Sequence, residues 1–271
     1  MTMKKKRLDV LLVERKLVES REKAKRLVMA GLVFSDQMRL DKPGMKVGEN
    51  IPLTVKGKLI PYVSRGGLKL EKALTNFQIS VRNKIMIDVG ASTGGFTDCA
   101  LQHGVKLSYA VDVGYNQLDW KLRNDKRVVV MERTNFRYAT SDMFCYGTPD
   151  LATVDVSFIS LRLILPVFKS ILSTNSDVII LIKPQFEAGK EQVGQKGVVK
   201  DKQTHLQVLK HVLHFAEKEQ FQIYNVTFSP ITGGDGNVEF LAHLGWQKDK
   251  EGADISVDRL EKIVDDAHLQ L

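Results

Sequence analysis

The chain has 271 residues, 43% of them hydrophobic and 27% charged, which is enough for two ordinary domains with real cores. No apolar run reaches the roughly 18 residues that span a bilayer, and Cys99 and Cys145 alone make neither a disulfide scaffold nor a zinc site. The formal charge is +8, and all of the excess sits in residues 1–60, which hold 15 of the 40 Lys and Arg but only 7 of the 32 Asp and Glu; the rest of the chain carries 25 of each. A compact basic segment on a neutral body is the footprint of a nucleic-acid-binding module, with a solvated helical face as the plain alternative. The basic N-terminus is followed by Asp9, Glu14 and Arg15 and not by a signal-type apolar core, so a reducing cytoplasm is the simplest home.

Leu8, Leu11, Leu12 and Leu17 predict a short first helix. Ser20 reads as the N-cap of a second, whose stripe is Ala24, Leu27 and Val28, and Gly31 as its C′ residue. Residues 32–34 and 38–40 predict short strands, Asp41-Lys42-Pro43-Gly44 a turn, and residues 51–55 a closing strand. The boundary follows at Ile60-Pro61-Tyr62-Val63-Ser64-Arg65-Gly66-Gly67, where the glycine pair predicts a loose joint. Leu70, Ala73, Leu74 and Phe77 then make a buried helix stripe, and Lys69 reads as an exposed lysine on the other face.

Residues 85–96 organise the rest of the chain. Ile85-Met86-Ile87-Asp88-Val89 is a buried strand, Gly90-Ala91-Ser92-Thr93-Gly94-Gly95 a small-residue turn, and Phe96, Ala100 and Leu101 return at helical spacing. Strand, glycine turn and helix form the entry to a nucleotide-type site. The stretch lacks both the G-x-G-x-x-G spacing and a Gly-Lys-Ser/Thr ending, and Asp88 suits an amino-acid-bearing cofactor such as S-adenosylmethionine; a tight turn with no ligand is the alternative. Gly90, Gly94 and Gly95 would let backbone approach a ligand that a Cβ would obstruct.

Further strands follow at residues 107–113, 128–131, 151–155, 178–182, 221–228 and 238–244, with a helix over 161–172, a long one over 203–219 and a last one over 257–269. Asp112, ending the second strand, can accept both hydroxyls of a ribose, and Glu132 and Asn135 lie just past the third. Seven strands with helices between, the final pair joined as a hairpin, predict an α/β doubly wound sheet. Asp155 and Lys183 fall at strand tips and Glu239 on the last strand. Taken singly they read as a helix N-cap, a snorkelling lysine and an exposed strand residue; together they mark one end of one sheet. Residues 187–202, with Gly189, Gly194, Gly197, Lys190, Lys196, Lys200 and Lys202, read as a mobile lid. No His/Cys cluster is available for a metal.

Two resemblances rest on these residues. Arg7-Leu8-Asp9-Val10-Leu11-Leu12-Val13, Ser20-Arg21-Glu22-Lys23-Ala24 and Ala30-Gly31-Leu32-Val33 resemble an S4 RNA-binding domain, which implies RNA contacts from Arg7, Arg21, Lys25 and Arg26. Ser64-Arg65-Gly66-Gly67-Leu68-Lys69-Leu70, Asp88 to Phe96, Asp155-Val156-Ser157-Phe158-Ile159-Ser160, Ile182-Lys183-Pro184-Gln185-Phe186-Glu187 and Gly236-Asn237-Val238-Glu239-Phe240 resemble the TlyA branch of the FtsJ-like ribose 2′-O-methyltransferases. That resemblance implies a Rossmann-like S-adenosylmethionine methyltransferase sheet of about seven strands with helices on both faces, over residues 68–271. It also implies a linker at 61–67 and a small α+β S4 domain at 1–60. Matched motif by motif, the family's Lys–Asp–Lys–Glu tetrad falls on Lys69, Asp155, Lys183 and Glu239. Its S-adenosylmethionine site falls on Asp88, Gly90, Ser92, Thr93, Gly94, Gly95, Asp112 and Asn135, with Arg65 a further RNA contact. The implied reaction is methylation of a cytidine 2′-hydroxyl in ribosomal RNA, free or in ribosomal subunits. An RNA-binding protein without catalysis and a membrane-lytic hemolysin, a label this branch often carries, are the competing readings.

Overall fold

The computed structural model describes residues 5–29, 31–56, 60–195, 197–233 and 236–271, and its chain separates into two units, Met1–Ile60 and Pro61–Leu271. Ala30 of the S4-like string, Lys196 of the lysine-rich loop, and Gly234 and Asp235 of the last glycine turn lie outside the described residues.

The first unit runs β1 (Lys5–Arg7), α1 (Leu8–Glu14), α2 (Arg21–Met29), β2 (Val33–Ser35), β3 (Met38–Arg39), β4 (Lys46–Gly48) and β5 (Thr54–Val55). Leu8, Leu11 and Leu12 of α1 meet Ala24, Leu27 and Val28 of α2 over Val33 and Leu40, and each of these is buried. The caps act as their chemistry dictates. Ser20 Oγ accepts the Lys23 amide at 3.2 Å, and Gly31 adopts a φ of 70° while the Leu32 amide returns to the Leu27 carbonyl. Helix α1 stops at Glu14, short of Leu17, because Lys16 turns left-handed with a φ of 56°. The expected strand at 51–55 shrinks to Thr54–Val55. Strand β1, which carries no apolar signal at all, pairs antiparallel with β4; β3, β2 and β5 form a separate sheet.

The second unit runs α3 (Gly66–Phe77), β6 (Ile85–Val89), α4 (Gly95–Gln102), β7 (Leu107–Val111), α5 (Trp120–Arg123), β8 (Val128–Met131), β9 (Leu151–Val154), β10 (Ser176–Ile182), α6 (Pro184–Glu187), α7 (Lys202–Lys218), β11 (Phe221–Phe228), β12 (Phe240–Trp246) and α8 (Val257–Gln270). Its seven strands lie in the order β11-β12-β10-β9-β6-β7-β8. Strand β12 is antiparallel to both neighbours, and the remaining pairs are parallel. This is the expected doubly wound sheet with a terminal hairpin. All seven residues of β10 are buried, as a strand covered on both faces requires. The chain leaves β6 toward β7 and β8, then returns on its other side as β9. Strand order therefore reverses between β6 and β9, where an open α/β sheet leaves a crevice beyond its carboxyl ends.

Three local expectations change. Residues 161–172 are not one α-helix but two 3₁₀ segments, Leu161–Leu163 and Leu165–Ser170: Pro166 has no amide hydrogen to give, although Leu161, Leu165 and Phe168 still reach the core. The glycine pair at 66–67 is not a loose joint. It starts α3, and the segment before it is tied down by Tyr62 Oη donating to Glu71 Oε1 at 2.8 Å and the Val63 amide donating to Asp98 Oδ2 at 2.8 Å. A Cβ at Gly67 would enter the Tyr62 ring. The end of the stretch 187–202 is likewise anchored. Val199 is buried, its amide donates to Asn237 Oδ1, and Asn237 Nδ2 donates to the Gly197 carbonyl.

Candidate functional site: four charges at the carboxyl edge of the sheet

Register determines who meets whom. The β6–β9 ladder ends at Val89 opposite Val154, so the glycine turn emerges beside Asp155, whose amide donates to the Val89 carbonyl. The β10–β12 ladder ends at Ile182 opposite Phe240, so Lys183 and Glu239 are the next residues out. Lys183 Nζ lies 2.5 Å from Asp155 Oδ1 and donates to Ser157 Oγ at 3.0 Å. From α3, Lys69 Nζ lies 2.6 Å from Glu239 Oε2 and 3.9 Å from Asp155 Oδ2. Asp155 thus bridges two amines, and two cations balance two anions.

Lys69 is not the exposed lysine that helical spacing predicts; it is 7% exposed, Lys183 8% and Glu239 2%. Burying single charges this deeply is costly unless they pair, and here they pair with one another. The Lys69–Glu239 contact is an ion pair by distance, but among the described residues Glu239 Oε2 accepts no hydrogen bond of good angle.

A cavity of about 240 Å³ opens against this cluster, lined by Ser64, Arg65, Gly66, Lys69, residues 90–93, Gly95, Phe96 and Asp155. Of the eight cofactor candidates, Gly90, Ser92, Thr93 and Gly95 line it. Gly94 does not: with a φ of 93° it packs on Leu118 and Leu122. The glycines answer to the protein itself before any ligand. A Cβ on Gly90 (φ 85°) would strike the Asp155 carbonyl, and one on Gly95 would strike Ser64 Oγ and the Gly67 amide. Asp88 does not line the cavity either. It is fully buried, Thr97 Oγ1 donates to one of its oxygens at 2.7 Å and Thr153 Oγ1 to the other at 2.9 Å, and burial pushes its carboxyl up to about 6. Asp112 accepts the Ser92 amide at 2.8 Å and the Gly114 amide at 2.7 Å, which holds Ser92 at a φ of 48°. Asn135 is exposed and caps the turn Phe136–Tyr138.

Of the RNA candidates, Arg65 is exposed at the cavity rim. In the first unit Arg7 and Arg21 both grip Asp9, with nitrogen–oxygen distances of 3.0 Å, and remain about half exposed. Asp9 is fully buried, and the Arg7 guanidinium, aided by Arg21, holds its carboxyl down at about 2. Lys25 pairs with Glu22, and Arg26 donates to the Ile60 carbonyl.

The residue-by-residue reading passed over four neighbours of the cluster. Ser157 receives Lys183. Glu187, with its carboxyl raised by burial, accepts Ser160 Oγ at 2.6 Å and the Leu161 amide at 2.7 Å, so it ties the segment after Lys183 to the one after Asp155. Phe158 is 92% exposed at a φ of 62°, its ring 5.1 Å from Phe186. A serine two residues past a strand-tip aspartate, and a phenylalanine next to it, were the available signals.

The fold and the site at its switch point define an α/β methyltransferase sheet. A Listeria monocytogenes structure titled "putative S-adenosylmethionine dependent methyltransferase" shares the fold at a TM-score of 0.50 and 15% identity, covering 67% of this chain and 98% of its own. Residues 62–246 match the family described as FtsJ-like methyltransferase and residues 6–50 the S4 domain. A Bacillus subtilis protein named "Putative rRNA methyltransferase YqxC" is 62% identical over 100% of this chain and 97% of its own length. The Mycobacterium tuberculosis 16S/23S rRNA (cytidine-2′-O)-methyltransferase TlyA is 43% identical over 90% and 91%. A solved Streptococcus thermophilus structure titled "Putative hemolysin" superposes with a TM-score of 0.78 at 52% identity, covering 99% of this chain and 98% of that one. The chain belongs to the FtsJ-like methyltransferase family, in the S4-bearing branch whose relatives carry the names TlyA and hemolysin.

Proposed function

We propose that this chain methylates the ribose 2′-hydroxyl of a cytidine in ribosomal RNA, in the cytoplasm, with S-adenosylmethionine as donor. The observation that carries the reading is the meeting of Lys69, Asp155, Lys183 and Glu239 beside the glycine-turn cavity, although they are dispersed over 170 positions of the sequence. The lining fits an amino-acid zwitterion: Arg65 and Lys69 supply positive charge, Asp155 negative, and Ser92 and Thr93 exposed hydroxyls. Residues 90–93 and Gly95 would hold the methionine end and Asp112 the ribose, with Asn135 beyond it. Asp88 serves this loop from within the core.

When bound, the cofactor supplies an electrophilic sulfonium methyl group. Lys183 Nζ, once it has given up its own proton, would take the proton of the 2′-hydroxyl, and Asp155, 2.5 Å away, would stabilise the resulting ammonium. Ser157 aims the amine, and Glu239 holds Lys69 as the second arm on Asp155. General-base assistance of this kind is worth about 10²–10⁴ in rate.

The test is transfer of labelled methyl groups to ribosomal RNA from a strain lacking the gene, with the modified nucleotide mapped by mass spectrometry. Lys183→Met is expected to lower transfer at least 10²-fold while cofactor binding, read by calorimetry, changes only a few-fold. Retained turnover removes Lys183 as the base. The hemolysin names of some relatives motivate one parallel measurement. Among the described residues no helix is long and apolar enough to cross a membrane, and dye release from phosphatidylglycerol vesicles is expected to be absent.

A further inference from the structure

Beyond the carboxyl ends of β7 and β8 stand two arginine–tyrosine stacks. The Arg133 guanidinium lies 4.1 Å over the Tyr115 ring and that of Arg137 5.6 Å from the Tyr138 ring. Both arginines are exposed, as are Tyr115 at 65% and Tyr138 at 70%. Trp120, 77% exposed, follows Asp119, whose amide donates to the Thr93 carbonyl of the cavity loop. Three other cations of this region are committed: Lys121 to Asp98, Arg123 to Glu132 and Arg127 to Asp125. Arg133 and Arg137 make no ion pair among the described residues, and the nearby carboxylates of Asp112 and Glu132 are engaged by backbone amides.

The first stack is held in place by its backbone. Arg133 sits at a φ of 54°, its amide donating to the Gly114 carbonyl at 2.9 Å, while the Thr134 amide donates to the Asp112 carbonyl at 2.9 Å. Left-handed backbone is strained at a bulky residue. Here that conformation presents an uncompensated cation on an exposed ring, which adds nothing to the core.

Exposed rings capped by unpaired guanidinium groups match one kind of partner. A single-stranded nucleic acid offers free base faces for the rings and phosphates for the arginines, whereas a duplex hides its base faces in its own stack. We propose that Tyr115, Arg133, Arg137 and Tyr138 form a docking ridge for single-stranded RNA on the same edge of the sheet as the methyl-transfer cavity. The inference rests on the RNA-methyltransferase reading and adds to it a binding surface on the catalytic unit itself, apart from the basic N-terminal unit.

The test compares full-length protein with Arg133→Gln/Arg137→Gln, Tyr115→Ala/Tyr138→Ala and Tyr115→Phe/Tyr138→Phe. Fluorescence anisotropy reads binding to a cytidine-containing single-stranded 20-mer RNA and to a hairpin of equal length, at several salt concentrations. The arginine pair variant is expected to weaken single-strand binding about tenfold and to lower the salt slope by about 1.4, two phosphates at about 0.7 each. The alanine pair is expected to weaken it at least roughly fivefold and to leave the hairpin unchanged, with phenylalanine restoring wild-type affinity. Thermal midpoints and S-adenosylmethionine binding are expected to stay the same. Single-strand affinities equal to wild type in the arginine and alanine variants, a loss as large on the hairpin, or no binding by the wild type would each overturn the ridge. Wild-type methylation of ribosomal RNA alongside unaffected ridge variants would overturn the ridge alone. Ridge-dependent binding without methylation would overturn only the catalytic reading.

Discussion

Strand β10 runs between two buried ionic clusters of similar composition and different character. At its amino end Asp177 accepts His243 Nε2 at 2.8 Å and Lys248 Nζ at 2.5 Å on one oxygen, and Lys84 Nζ at 2.8 Å on the other. Burial alone would raise this carboxyl, but the His243, Lys248 and Lys84 donors hold it well below the usual carboxylate range. Six residues on, about 20 Å at 3.3 Å per residue, Lys183 begins the other cluster. There two amines face two carboxylates, Glu239 keeps an oxygen with no hydrogen bond among the described residues, and Asp155 opens to a cavity. A larger cavity, about 480 Å³, lies at the amino end beside Asp177. Volume therefore does not identify the site. A saturated carboxylate fastens strands together, whereas an incompletely satisfied, charge-balanced set beside a cavity can exchange partners and protons.

The contrast is sharpest in single substitutions. Asp177→Ala takes the shared carboxylate from three donors, leaving Lys84 only the Asp150 carbonyl, and is expected to cost about 3–5 kcal/mol of stability, read by urea unfolding, with methyl transfer per folded molecule unchanged; a large loss of turnover at full stability would erase the distinction between the two ends. Lys69→Met is expected to do the reverse, lowering transfer about 10²-fold through a misplaced Asp155 with a smaller change in unfolding midpoint. A variant that unfolds yet keeps its turnover would make Lys69 a structural residue.

Protonation provides two finer probes. Burial first, then the like charge of neighbouring His268, pulls His205 down to about 4. Its folded value lies below the ordinary one of about 6.5, so the unfolded chain binds the proton first. Stability from this group is full above pH 6.5 and drains away as pH falls toward 4. In His205→Asn the decline in thermal midpoint over that window is expected to shrink; an unchanged decline would mean that His205 titrates normally. Asp88 carries the opposite sign. Its folded value, about 6, lies above the unfolded one, so its contribution is present in acid and lost as pH rises from about 4 to 6. The stability of Asp88→Asn relative to the parent chain is accordingly expected to rise between pH 4.5 and 7 in chemical denaturation, and an unchanged difference would show the carboxylate charging there at no cost. This is the smallest effect of the set.

Much of this architecture was legible from local pattern. Ser20 and Gly31 mark their helix ends by side-chain and backbone chemistry confined to one turn. The apolar run before Lys183 announces a strand buried on both faces, and residues 85–96 announce strand, turn and helix within a dozen positions. Other features were not legible, for identifiable reasons. Strand β1 is Lys-Lys-Arg and exists only because β4 offers it an edge. Pro166 divides a stretch whose apolar spacing alone suggests one helix. Lys69 looks solvent-facing because its own helix does not record what packs over it.

The chain by itself determined the alternation of elements, the glycine bend and the concentration of positive charge in its first quarter, since periods of two and 3.6 residues and the conformational range of glycine are properties of neighbouring residues. Only the tertiary structure decided that Glu239 meets Lys69 and that Asp155 meets Lys183, that Asp88 turns inward to Thr97 and Thr153, and that Gly90 is small because the Asp155 carbonyl lies against it. Those contacts follow from strand order and register, which bring together residues from 9 to 170 positions apart and leave no trace in the spacing of any one segment.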